Sequence, residues 1–179
     1  DQFIPVLEKN GYVIDVDNFI WNKVCACIKM MEDKGIEPVP ISVNVSRMHV
    51  YQEKFTENLK NMAGEYGIDP KYIPLEITES AFTKEEGSLF KKVQSLQGYG
   101  FKFSMDDFGS GYSSLGMLKS ERVDEVKIDK TFVDDIATDK GKVLLGNVIR
   151  MINELGIDMI AESVETKEQA DFLKENGCM

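Results

Sequence analysis

Two aspartates stand side by side in Phe101-Lys102-Phe103-Ser104-Met105-Asp106-Asp107-Phe108-Gly109-Ser110-Gly111-Tyr112-Ser113-Ser114-Leu115, where an apolar run meets a glycine-rich turn carrying hydroxyls. Side chains alternate along a strand, so both carboxylates cannot point into one core, and at least one is expected at the strand's exit. Paired carboxylates there, followed by a loop whose glycines let the backbone approach a ligand closely, are what a divalent-cation or phosphate site needs. A solvated Asp-Asp-x-Gly turn is the plainer reading of the same residues.

Further polar residues end other short apolar runs: Asn44, Glu76, Lys127 and Glu162. Asn44, Glu76, Asp106 and Asp107 offer only oxygen donors, and hard oxygen donors without His or Cys select Mg²⁺, Mn²⁺ or Ca²⁺ over zinc. Adjacent aspartates can bridge two ions roughly 3.5–4 Å apart, the arrangement used for in-line attack on a phosphodiester. Lys127 is suited to orient the attacking water or to stabilise charge on a phosphate oxygen, and Glu162 to take the water's proton. Each also has a structural reading. Asn44 can be a buried hydrogen-bonding residue, Lys127 can snorkel or pair with a carboxylate, and Glu79, Asp129 and Glu165 can simply brace loops. His49, the single histidine, is expected at the start of a surface helix with no catalytic partner.

The elements that must carry these residues alternate between strand and helix. Strands are predicted at 40–46, 73–78, 100–106, 124–129 and 157–162. A helix is predicted at about 17–33. Others follow from helical spacing: Phe55, Leu59, Met62 and Tyr66 before Gly67; Leu89, Phe90, Val93 and Leu96 before Gly98; Val143 through Leu155 before Gly156. Thr83 with Glu86 forms a candidate capping box, and Thr166 with Gln169 opens a last helix ending near Gly177.

Strand parity separates Val43, Val45, Leu75, Ile77, Phe101, Phe103, Met105, Val126 and Ile128 from Ser42, Asn44, Ser46, Glu76, Thr78, Lys102, Ser104, Asp106, Lys127 and Asp129. A strand between two helix layers is apolar on both faces, whereas one polar face fits a barrel with a ligand-binding interior. The predicted class is therefore α/β, a TIM-like barrel with its chemistry at the C-terminal strand ends.

A length of 179 residues suits one domain with a sizeable core, 1–179, with no internal boundary. The net charge of −10 argues against DNA or RNA binding, which needs a Lys/Arg-rich face. Cys25, Cys27 and Cys178 form no zinc spacing, and an odd count favours a reduced, cytoplasmic setting. Cys25 and Cys27 lie in an apolar run and are expected in the core. No run approaches the roughly 20 apolar residues of a membrane span.

Six motifs stand in order: Phe3-Ile4-Pro5, Val43-Asn44-Val45-Ser46, Leu75-Glu76-Ile77-Thr78-Glu79-Ser80, Asp106 through Leu115, Lys127-Ile128-Asp129 and Ala161-Glu162-Ser163-Val164-Glu165-Thr166. On these motifs the whole chain resembles the EAL domain, the bacterial phosphodiesterase module for cyclic di-GMP. The resemblance implies a modified TIM (βα)8 barrel, here lacking the first and last strands, that opens cyclic di-GMP to linear pGpG with two Mg²⁺ or Mn²⁺ ions, Ca²⁺ being inhibitory. It implies metal ligands at Asn44, Glu76 and Asp106, with Asp107 on the second ion, and Lys127 with Glu162 acting on the nucleophilic water. Glu79 resembles the glutamate that holds the loop Gly109-Ser110-Gly111-Tyr112-Ser113-Ser114, a loop the family couples to dimerisation. Asp129 and Glu165 fall at further site positions.

A homodimer, sensory or cyclase domains elsewhere in the parent protein, and a cytoplasmic site of action with the parent open to membrane anchoring belong to the same expectation. The family usually has Gly where this chain has Ser163, and serine fits there with a backbone φ below zero. The family's Glu-Ala-Leu glutamate is expected upstream of Phe3-Ile4-Pro5. Two other readings stay open: a catalytically inactive cyclic di-GMP receptor, and a dimerisation segment.

Overall fold

Apolar residues at three- and four-residue spacing make the long second helix. In the computed structural model, which describes residues 3–82, 86–109, 118 and 123–178, α2 (Val13–Asp33) buries Val13, Asp17, Trp21, Cys25 and Ile28 along one stripe. It follows α1 (Ile4–Asn10), which Gly11 ends in the left-handed conformation, and begins four residues before the predicted start. The described residues of 1–77 and 85–103 form one compact unit, and those of 78–84 and 104–179 form a second.

In the first unit, β1 (Val43–Asn44) pairs in parallel with β2 (Leu75–Thr78), Val43 opposite Leu75 and Asn44 opposite Glu76. The N–H of Leu75 donates to the carbonyl of Lys102, so the chain entering the next strand lies against β2. Helices α3 (Arg47–Val50), α4 (Phe55–Tyr66) and α5 (Glu86–Gln97) complete the unit. Helix α4 stops at Gly67 with φ +65°, as its spacing predicts. Thr83 and the Glu86 side chain, the candidate capping box, lie outside the described residues. The core gathers Trp21, Cys25, Ile28, Phe55, Leu59, Ile73, Leu75, Val93 and Leu96, all buried. Cys25 belongs to it as expected, and burial pushes its thiol up to about 11. Cys27 is only half-buried, one helical position off the stripe.

In the second unit, β3 (Phe103–Phe108), β4 (Glu125–Ile128) and β5 (Asp158–Ala161) pair in parallel in that order. Helix α6 (Lys130–Asp134) follows β4, capped by the Asp129 carboxylate; α7 (Asp139–Glu154) is capped by Thr138. Helix α8 (Lys167–Glu175) opens on the predicted Thr166–Gln169 capping box. The core between β4 and these helices is Ile128, Val133, Ile136, Leu145, Ile149, Leu173 and Cys178. Each fully buried aliphatic side chain there contributes about 1.5–3 kcal/mol of transfer free energy.

The expected α/β class with parallel strands is what forms, helices following β1, β2, β4 and β5 among the described residues. The apolar parity set is buried throughout, from Val43 and Val45 to Val126 and Ile128. Among the described residues no helix is long and apolar enough to cross a membrane.

Candidate functional site

Strand β3 runs on past Asp106 to Phe108, two residues beyond the predicted end. Met105 pairs with Val126 and Phe108 with Ile128, so Asp106 and Asp107 together oppose the single residue Lys127. This is a β-bulge, and Asp107 sits at its turn with φ +56°. Strict alternation would have sent one carboxylate to the strand's exit; the extra residue breaks the alternation, and both aspartates are half-buried inside the strand. Beneath the bulge, Ser104 Oγ donates to Glu125 Oε1 at 2.8 Å, tying β3 to β4.

Lys127 is the cation of this group. Its Nζ lies 3.3 Å from Asp106 Oδ1 and 2.5 Å from Glu162 Oε1, joining the ends of three adjacent strands. The lysine and Asp106 side chains are 13% and 15% exposed, so the Asp106 pair is only weakly screened, whereas Glu162, at 38%, faces water. The Asp107 carboxyl is pushed above the usual range by burial first, then by the charges of Asp106, Asp129 and Glu162; Lys127 opposes the shift. Carboxylates that raise one another's proton affinity make a site that favours added positive charge.

Glu79 is buried (1% exposed) at the start of a 3₁₀ turn, and its Oε2 accepts from the N–H of Gly109 at 3.2 Å. It thus holds the first residue after β3. Gly111, Tyr112, Ser113 and Ser114, the remainder of the candidate coupling loop, lie outside the described residues. Asp129 Oδ1 accepts from the Thr131 N–H and hydroxyl, so it acts as a helix cap as well as adding charge near Asp107. Glu165 stands apart from the Lys127 group: it pairs on the surface with Lys130 at 2.9 Å, which holds its carboxyl below the usual range and raises the lysine in turn.

In the first unit, Asn44 and Glu76 are directly opposite across β1 and β2. Asn44 is exposed and Glu76 is 8% exposed. His49 corrects its expectation. It lies on the short α3, but it is fully buried, with Nδ1 3.2 Å from Asp17 Oδ2 and its ring stacked 4.3 Å from Trp21. Sequence reasoning missed the group because Asp17 and His49 are 32 positions apart. The available signal was an acid inside the apolar stripe of α2.

Among the described residues no three of His, Cys, Asp and Glu are gathered into a ready-made cage for a metal ion. The donors are single oxygen groups on separate strands, one of which, Asp106 Oδ1, is buried and makes no hydrogen bond among the described residues. A buried carboxylate oxygen held by an ion pair and by no hydrogen bond among the described residues, in an all-oxygen set, fits a hard divalent cation and not zinc or copper.

Ser163 does not meet the condition under which serine fits easily: its φ is +54° and not below zero. It follows Glu162 directly, and its side chain is exposed. A left-handed non-glycine residue costs roughly 1–2 kcal/mol, and glycine's greater freedom in the unfolded chain returns part of that. Ser163→Gly is therefore expected to stabilise the chain by about 0.5–1 kcal/mol, read as a melting point about 2 °C higher. An unchanged or lowered melting point would show that the serine is not strained.

A family model described as the EAL domain matches residues 1–179. The signaling protein YkoW of Bacillus subtilis is 34% identical over 178 residues, covering 99% of this chain and 22% of YkoW. Cyclic di-GMP phosphodiesterase NbdA of Pseudomonas aeruginosa is 29% identical over 99% of the chain and 23% of its own length. The chain thus spans less than a quarter of these curated relatives. Among solved structures, the PaMucR phosphodiesterase in complex with cyclic di-GMP superposes with a TM-score of 0.91 at 29% identity, covering 99% of this chain and 72% of that one. The α/β fold is accordingly of the TIM-barrel type, as the resemblance implied. The chain belongs to the EAL domain family.

Proposed function

We propose that this domain hydrolyses cyclic di-GMP to linear pGpG in a divalent-metal-dependent reaction. The observation that carries the proposal is the Asp106–Asp107 bulge set against Lys127, with the lysine also paired to Glu162. The family match over the whole of 1–179 supports reading the chain as one domain, and names such as NbdA's support the substrate.

Asn44, Glu76, Asp106 and Asp107 are the residues that would hold Mg²⁺ or Mn²⁺. When bound, two such ions supply a water of lowered pKa and neutralise phosphate charge. The chain's own residues do the rest. Lys127 orients the attacking water and places positive charge near the non-bridging phosphate oxygens. Glu162, half open to solvent, accepts the water's proton as the new P–O bond forms. The bond to one ribose 3′-oxygen breaks, that oxygen takes up a proton, and a 5′-phosphate remains on the linear product. Glu79 keeps Gly109 in place behind the acid pair, and the following loop is the proposed contact with a second copy of the chain. The parent protein would bring sensory or cyclase domains to this module and act in the cytoplasm.

The chain incubated with cyclic di-GMP and Mn²⁺ is expected to release pGpG, seen by ion-pair chromatography, and to stop on addition of EDTA. No turnover at saturating Mn²⁺ overturns the enzyme reading. Tight nucleotide binding in EDTA without turnover would instead identify a receptor, and self-association without nucleotide affinity a dimerisation segment.

A further inference from the structure

Strand β1 is two residues long, yet it carries Asn44. One of its edges is held by the ladder: the N–H of Val43 donates to the Pro74 carbonyl and that of Val45 to the Glu76 carbonyl, both at 2.9 Å. Backbone groups alternate in direction along a strand, so the Asn44 carbonyl and the Ser46 N–H face the other way. Both are taken by side chains of α2. Trp21 Nε1 donates to the Asn44 carbonyl at 3.0 Å, and the Ser46 N–H donates to Asp17 Oδ2 at 3.1 Å.

These two side chains are themselves locked. His49 Nδ1 also lies 3.2 Å from Asp17 Oδ2, which orients the imidazole. The ring stacks on Trp21 with 27° between planes, and Phe55 packs against both rings. Trp21, His49 and Phe55 are essentially inaccessible to water, and His49 Nε2 has no hydrogen-bond partner among the described residues. An unsatisfied ring nitrogen in the core costs about 1–3 kcal/mol. The fold tolerates that cost in a cluster whose polar atoms otherwise converge on the backbone flanking Asn44.

We infer that Trp21 and Asp17, braced by His49, are positioning residues that clamp Asn44 for divalent-cation binding. The inference rests on the ligand role proposed for Asn44. A group that orients a metal ligand without touching the ion typically alters metal affinity 10–100-fold when removed.

The test compares Trp21→Phe, which keeps an aromatic ring, deletes the indole N–H donor and leaves a small gap, with Phe55→Leu, which loosens the same cluster from a residue that packs on the rings without making either bond. Mn²⁺ affinity is measured by calorimetry on the chain without nucleotide, beside the melting point and the kinetics of cyclic di-GMP hydrolysis. Trp21→Phe is expected to weaken Mn²⁺ binding about tenfold and to raise the Mn²⁺ needed for half-maximal kcat, with KM for cyclic di-GMP unchanged. Phe55→Leu is expected to lower the melting point at least as much as Trp21→Phe while weakening Mn²⁺ binding far less, because both bonds to the backbone beside Asn44 stay in place. The clamp is overturned if Trp21→Phe binds Mn²⁺ as the parent chain does, if both variants lose Mn²⁺ affinity in proportion to stability, or if the parent chain binds no Mn²⁺. Mn²⁺ binding that weakens in Trp21→Phe without any hydrolysis by the parent chain sinks the phosphodiesterase proposal and upholds the clamp. Hydrolysis with an unaltered Mn²⁺ response does the reverse.

Discussion

Lys127→Met should cost on the order of 10³-fold in kcat at saturating Mn²⁺ while leaving cyclic di-GMP affinity within a few-fold of the parent chain. Methionine keeps most of the length and the apolar stem of the side chain and removes the ammonium, both its charge and its N–H donors. That charge lies between Asp106 and Glu162, and it is the influence that lowers the Asp107 carboxyl against the three carboxylates raising it. Without it the attacking water loses its orienting donor, Glu162 loses the partner that aims it, and Asp107 binds its proton more tightly still. All of these harm the transition state more than the bound substrate, so the loss belongs in kcat and not in KM. Lys127→Arg restores charge but not the ammonium's compact shape, and should recover only part of the rate. Near-parental kcat in Lys127→Met would show that the lysine serves only to hold the strand ends together.

Gly109→Ala should be the most damaging small substitution near the acid pair. A Cβ at this position would lie 1.7 Å from Phe132 Cε2 and 2.7 Å from two further ring atoms, and the backbone sits at φ +96°. The clash requires the ring or the turn to move, and the conformation is one that only glycine adopts freely. Overpacking of about 1–3 kcal/mol and a left-handed penalty of about 1–2 kcal/mol sum to roughly 3 kcal/mol. For a chain of this size that is a fall of about 6–12 °C in melting point, measurable by circular dichroism at 222 nm. The Gly109 N–H donates to buried Glu79, so movement of the turn also strips that carboxylate of a partner. A melting point within a degree of the parent would mean that Phe132 swings aside at no cost.

Much of the fold was legible because local chemistry and tertiary packing agree. The helical spacing of Phe55, Leu59 and Met62 coincides with the face that α4 buries, and Gly67 ends the helix in the conformation glycine favours. Strand parity picked out Leu75 and Ile77 as buried, although Glu76 between them, in the polar set, is itself nearly buried. Of the candidate site, the grouping of Asp106, Lys127 and Glu162 follows from their places near the C-terminal ends of consecutive parallel strands, Lys127 opposite the acid pair and Glu162 two residues beyond the lysine's partner Ile160. What parity could not indicate was the bulge, because an extra residue in one strand is visible only against its partner's count. Nor could it indicate the Asp17–His49 bond, in which a charge on one element is satisfied by a ring from another. Ser163 illustrates a third limit: a side chain's identity sets what its backbone prefers, and the surrounding chain decided otherwise.

Because β3 holds two residues where β4 holds one, the second carboxylate is a matter of chain length and not only of side-chain identity. Substituting Asp107 alters one group and leaves the kink. Deleting it would let Met105, Asp106 and Phe108 match Val126, Lys127 and Ile128 one for one, so the ladder could close without displacing any residue downstream. The sheet is thus indifferent to a single-codon deletion that the chemistry is not, and the acid pair can be gained or lost in one event while the strands keep their register.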